Sequence, residues 1–192
     1  ILKQVDGGLT ITSYVNLFDK NGYLGMPSNW ANDRRVFEQF IRFKPEIKMK
    51  SVYYYDNVAG SNQSREEMDK AIERLVLTSD INPEIILTPE QIREKIDLSS
   101  EEYRYVRLVE RENGQKAYLR MFDDQGRYPS EAEISAVLKT MISGSPRVAF
   151  LGGHGERNIY DKSGVNYTSF TTILDSRSAL INQGYTPYTL TR

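Results

Sequence analysis

The stretch Pro146-Arg147-Val148-Ala149-Phe150-Leu151-Gly152-Gly153-His154-Gly155-Glu156 constrains the fold more than any other. Arg147 to Leu151 is a short, continuous apolar run bounded by turn signals. That is the pattern of a strand buried on both faces. Three glycines just past its end let the backbone take positive φ or approach another group closely. His154, the only histidine, and Glu156 sit in that turn. In open α/β sheets, ligands bind outside the carboxyl ends of the strands. Gly152, Gly153, His154, Gly155 and Glu156 are therefore the first candidates for binding a ligand or partner.

The rest of the chain alternates strand and helix patterns. Leu9 to Val15 alternates as a strand. A loop follows, with Trp30 near its end expected to pack over the core edge. Asn32 is placed as the N-cap of a helix through Phe43, with Asp33 in its first turn. Val36, Phe37, Phe40 and Ile41 form its apolar face, and Pro45 stops it. Glu46 to Tyr55 is the next strand, then a polar loop and a helix from Arg65 to Leu77. Thr88-Pro89-Glu90-Gln91 is a capping box with proline at the first helical position. Tyr103–Glu110 and Gln115–Phe122 flank Asn113-Gly114, the strongest short hairpin signal. Ser130-Glu131-Ala132-Glu133 is a second capping box, opening a helix that buries Ile134, Val137, Leu138 and Met141. A last helix is expected from Ser169 to Gln183, with Gly184 as its C-cap, then a strand from Tyr185 to Thr191. Helices between strands argue an α/β fold: a mostly parallel sheet covered on both faces, with an antiparallel hairpin insertion at its edge. Residues 1–192 read as a single domain; 97–130, around the hairpin, is where it would subdivide.

Function classes narrow by elimination. With 192 residues the chain can bury a core without staples. The formal net charge of -1 gives no basic footprint for nucleic acid. No cysteine is present, which excludes thiol catalysis and cysteine-ligated zinc. No serine elbow or Walker pattern occurs, and Asn158 stands where a dinucleotide fingerprint needs its third glycine. The Asp123-Asp124-Gln125-Gly126 turn lacks the EF-hand ligand spacing. No cofactor or metal is expected. Tyr54 and Asp56, in the run Tyr53-Tyr54-Tyr55-Asp56, are a second pair of candidate contacts for a carbohydrate, peptide or other small ligand. The competing reading is a hydrolase or carbohydrate-processing enzyme using His154 and Glu156 as general acid and base.

Val148 to Glu156 resembles the strand and Gly-His-Gly-Glu motif of the auxiliary domain of ABC-2-type transport systems, the GldG-like, gliding-motility-associated group. Thr10 to Asp56, with Trp30 and Arg42-Phe43-Lys44-Pro45, and Gly184-Tyr185 before the last strand, are similar to it too. The resemblance implies a non-enzymatic extracytoplasmic module working with ABC permease and ATPase subunits. It would sit on the periplasmic face of a bacterial inner membrane, anchored through segments outside this sequence. It also implies a flavodoxin-like or amidotransferase-like α/β layer. Related domains in an intraflagellar transport protein look like non-catalytic assembly modules. Amidotransferase activity needs a nucleophilic cysteine and does not carry over.

Overall fold

The computed structural model describes residues 5–79, 81–153 and 155–191. In chain order its elements are β1 (Leu9–Asn16), α1 (Trp30–Phe43), β2 (Ile47–Tyr54), α2 (Arg65–Thr78), β3 (Ile86–Leu87) and α3 (Pro89–Lys95). Then come β4 (Val106–Arg111), β5 (Lys116–Arg120), α4 (Glu131–Ser143), β6 (Arg147–Gly152), α5 (Thr168–Thr171) and β7 (Thr186–Thr191). The fold is α/β. Five strands form one sheet in the order β3-β2-β1-β4-β5, and β6 and β7 form a second.

The five-stranded sheet is mixed. β2 and β3 are parallel. The Leu17 N–H donates to the Tyr54 carbonyl at 2.9 Å, so the carboxyl ends of β1 and β2 lie together. The Glu112 N–H donates to the Gly8 carbonyl at 3.2 Å, so the end of β4 lies beside the start of β1. The Asn113-Gly114 turn joins β4 to β5 as expected: Gly114 has φ +87°, and the Arg111 N–H donates to the Gln115 carbonyl at 2.9 Å.

The expected central strand is not in that sheet. Among the described residues β6 pairs with β7 alone, parallel, from Arg147 opposite Thr186 to Gly152 opposite Thr191. Nor is it buried on both faces: Arg147, Ala149 and Leu151 are exposed, and Val148 and Phe150 only half-buried. An apolar run reports that a strand has apolar neighbours, not how many strands flank it.

By its internal contacts the chain divides into two compact units, residues 10–108 and residues 1–9 with 109–192. In the first, Phe37 and Phe40 carry the buried stripe of α1, together with Asp33. α1 starts at Trp30, ahead of the expected cap Asn32, and Asn29 at its N-cap makes no side-chain cap bond. The Asn29 amide instead donates to the Tyr23 carbonyl at 2.7 Å. Trp30 is 43% exposed with the Arg34 guanidinium 5.3 Å from its ring centre, so it does not close the core edge. α3 has its capping box at Thr88, and α2 has another at Ser64, closed by Glu67. The Ser64-to-Glu67 spacing carries the same signal in the sequence.

In the second unit the Ser130 capping box opens α4. The helix expected from Ser169 to Gln183 is not formed. α5 stops after Thr171, and only a 3-10 turn over Leu180–Gln183 follows, ended by Gly184 in the left-handed region. Side chains that compete for backbone groups explain the break. The Thr171 and Thr172 hydroxyls donate to the Ile159 carbonyl at 3.2 and 2.5 Å. The Asn182 amide donates to the carbonyls of Leu174 and Ser176 at 3.0 and 2.8 Å.

Arg177 ties this unit together. It donates to both oxygens of Asp124 at 2.8 and 3.0 Å and to Glu133 at 2.6 Å. Its guanidinium lies 4.3 Å from the Phe122 ring centre. Burial raises the Glu133 pKa, but hydrogen bonds from Ser130 and Arg177 outweigh it and leave the carboxyl below its ordinary value. The Arg177 hydrogen bond lowers Asp124 in the same way. A carboxylate with a depressed folded pKa contributes stability above its unfolded pKa and loses it as pH falls through the folded one. Arg177→Met is therefore expected to destabilise the protein by about 2 kcal/mol at neutral pH, and by much less once both carboxyls are protonated. Urea unfolding of both proteins at neutral and at strongly acidic pH measures this. An equal loss at both would show that the ion pairs contribute nothing.

Candidate functional site

At the carboxyl ends of β1 and β2, the polar side chains are engaged with one another. Asn16 ends β1 and is fully buried. Its Nδ2 donates to the carbonyls of Asp56 and Tyr103 at 2.9 and 2.7 Å. Asp56, also fully buried, accepts from Arg93 at 2.9 and 2.8 Å, a bidentate fork from α3. Tyr54 is fully buried and its hydroxyl donates to the Tyr103 carbonyl at 3.0 Å. Burial pushes the Tyr54 phenol far above its ordinary pKa. Tyr53 and Tyr55 are buried too. So Tyr54 and Asp56, expected to contact a ligand, present no accessible surface. Tyr54 fastens the loop 99–105, and Asp56 fastens α3, to the strand ends. The network was missed because its members are far apart in sequence and their order carries no motif.

One tyrosine tip does reach a charged cluster. The Tyr55 hydroxyl donates to Asp69 at 2.6 Å, and Arg65 donates to Asp69 at 2.7 Å and also bridges to Glu90. Burial, then the Asp69 bond, push the Tyr55 phenol up to about 12. This holds α2 and the start of α3 against the strand end. Asp69 and Glu90 are both ion-paired, and neither is poised to titrate near neutral pH.

The glycine turn sits elsewhere, after β6. Gly153 and Gly155 take φ +114° and +85°, the left-handed freedom that their position called for. A Cβ at either would meet open space, whereas one at Gly152 would lie 2.7 Å from the Thr189 side chain. Glu156 is exposed. His154 lies outside the described residues. Gly152, Gly153, Gly155 and Glu156 belong to the unit 109–192, and Tyr54 and Asp56 to the unit 10–108.

The register of β6 and β7 sets the chemistry of this edge. On one face Phe150 packs with Tyr167 and Phe170, ring centres 5.8 and 6.2 Å away. The other face carries Ala149 opposite Tyr188 and Leu151 opposite Leu190. Leu151 is 66% exposed and Leu190 48%. Arg147 caps this face with its guanidinium 4.2 Å from the Tyr188 ring centre. Parallel strands are ordinarily covered on both faces, and an isolated two-stranded sheet is marginal in water. Here two leucines sit side by side in solvent, immediately before the glycine turn. Among the described residues, no group of three or more His, Cys, Asp or Glu side chains is placed to hold a metal ion. No helix among them is long and apolar enough to cross a membrane.

These features define an α/β protein with an exposed apolar pair, Leu151 and Leu190, at the edge of its two-stranded sheet. No family model, curated protein or solved structure matches the chain.

Proposed function

We propose that the chain is a non-enzymatic interaction module, the extracytoplasmic auxiliary part of an ABC-type transport system in a bacterial inner membrane. It binds a partner protein through the end of β6 and β7, next to Gly152–Glu156. The observation that carries the binding role is the exposed Leu151–Leu190 pair on a parallel two-stranded sheet. Contiguous exposed apolar surface of that kind is what a protein interface buries. The transport assignment is supported by the likeness of Val148–Glu156 to the auxiliary-domain motif. On the same footing, the strands and helices belong to a flavodoxin-like or amidotransferase-like layer. The partners are then the permease and ATPase subunits, with the module held at the membrane by segments outside this sequence.

The test is co-purification from native membranes with a photoreactive residue replacing Leu151. The expected adducts are to a permease or ATPase subunit. Leu151→Glu with Leu190→Glu is expected to cut co-purification at least about tenfold, since burying two charges without partners costs several kcal/mol. The melting temperature should barely move, because both side chains are exposed already. Undiminished co-purification of the double variant would overturn the reading. So would a large loss of stability, which would place the two leucines in the protein's own core.

A further inference from the structure

A second surface of the unit 109–192 has different chemistry. A cavity of about 510 Å³ opens between one side of β5, the middle of α4 and the start of β7. That is within the size range of small-molecule sites. The two-residue period of β5 builds it. Leu119 points into the core and is 2% exposed, which turns Lys116, Tyr118 and Arg120 to the other side. All three line the cavity, with Val137 and Met141 of α4 as an apolar floor.

The charge of this cavity is one-sided. None of its described lining residues is acidic, although Asp and Glu outnumber Lys and Arg by 26 to 25 in the whole chain. A concave, low-dielectric wall carrying charge of one sign concentrates counter-ions. Arg120 is held in place by a 3.0 Å bond to Asn182 Oδ1. Lys116 pairs with Glu110 at 3.0 Å at the solvent side, where the lysine side chain is 60% exposed. The Glu110 side chain is 27% exposed, so the pair is partly screened by solvent and an incoming anion would compete with Glu110 for the lysine. Two of the lining hydroxyls already donate elsewhere: Thr140 to the Val137 carbonyl at 2.7 Å, and Thr186 to Ser145 at 2.9 Å.

We infer that this cavity binds a small organic acid: a carboxylate that meets Lys116, on an apolar or aryl body that lies over Val137 and Met141 beside Tyr118. This site is separate from the Leu151–Leu190 face and does not depend on its role.

The test titrates 4-phenylbutyrate and its neutral analogue 4-phenyl-1-butanol into the protein, followed by amide chemical shifts. Saturable binding of the carboxylate is expected, at least about tenfold tighter than the alcohol. It should weaken as salt is raised. Lys116→Gln should remove most of the difference between the two probes, and Val137→Trp, which fills the floor, should abolish binding of both. A folded shift spectrum for each variant guards against simple unfolding, and Lys116→Gln changes an exposed side chain only. Equal affinities for acid and alcohol, no saturation by either, or shifts centred on Leu151 and Leu190 would each overturn the assignment.

Discussion

Asp33→Ala is expected to lower the stability of the protein by about 3–5 kcal/mol, the usual consequence of removing one partner from a buried ion pair. The Arg107 side chain is fully buried and that of Asp33 is 5% exposed. They meet through Arg107 Nη2 and Asp33 Oδ1. Arg107 also donates to the Tyr105 hydroxyl at 2.9 Å and lies over the rings of Phe37 and Tyr105, 5.6 and 4.9 Å from their centres. Without Asp33, a fully buried guanidinium would lose this ion-pair partner among aromatic rings. The pair links the first turn of α1 to β4, so the loss should appear as cooperative unfolding at lower urea with an unchanged slope. The double variant Asp33→Leu, Arg107→Met is expected to recover most of it, because a buried pair replaced by apolar groups of similar volume is often neutral. A single-variant loss under about 1 kcal/mol, the scale of a solvated surface pair, would show that water reaches the guanidinium.

That pair marks the limit of what the sequence makes legible. Thr88-Pro89-Glu90-Gln91 and Ser130-Glu131-Ala132-Glu133 were readable because a capping box is a local bargain between residues three apart. Asn113-Gly114 was readable because its turn geometry is local as well. Asp33 and Arg107 are 74 positions apart, and nothing near either announces the other. Asp33 is legible in the sequence as a favourable first-turn acid of α1, not as the buried partner of Arg107. The segment 169–183 carries helical spacing, but Thr172 donates to the Ile159 carbonyl and Asn182 to the carbonyls of Leu174 and Ser176, and tertiary context decided the outcome. β6 was read as a strand correctly and given the wrong neighbours, since an apolar run does not encode its pairing. The candidate site divides in the same way. The positive φ values of Gly153 and Gly155 were anticipated from residue type. The exposure of Leu151 depends on β7 being its single described neighbour, and the cavity beside β5 depends on three separate segments meeting.

Asn16→Ala is the second substitution expected to do large damage, about 3 kcal/mol or more. Besides its two donated bonds, Asn16 accepts from the Phe18 N–H at 3.0 Å. Alanine removes this partner from the Asp56 carbonyl and the Phe18 N–H and leaves the Tyr103 carbonyl with Tyr54 alone, at about 1–3 kcal/mol for each group left unsatisfied. Tyr103 adds to the effect. It takes φ +52°, a left-handed conformation that bulky residues rarely adopt. Asn16 and Tyr54 hold it there through its carbonyl, while Arg93 lies 5.3 Å from its ring centre. Because Asn16 restrains a strained Tyr103, Tyr103→Gly, which relieves the φ penalty, should cost more in the Asn16→Ala background, where that strain has already relaxed, than alone. Tyr54→Phe should be partly redundant with Asn16→Ala, because both bonds end on one carbonyl. A double-mutant cycle measures that coupling. Strict additivity would show that the three side chains act separately, and that the carboxyl edge of β1 and β2 is held by packing alone.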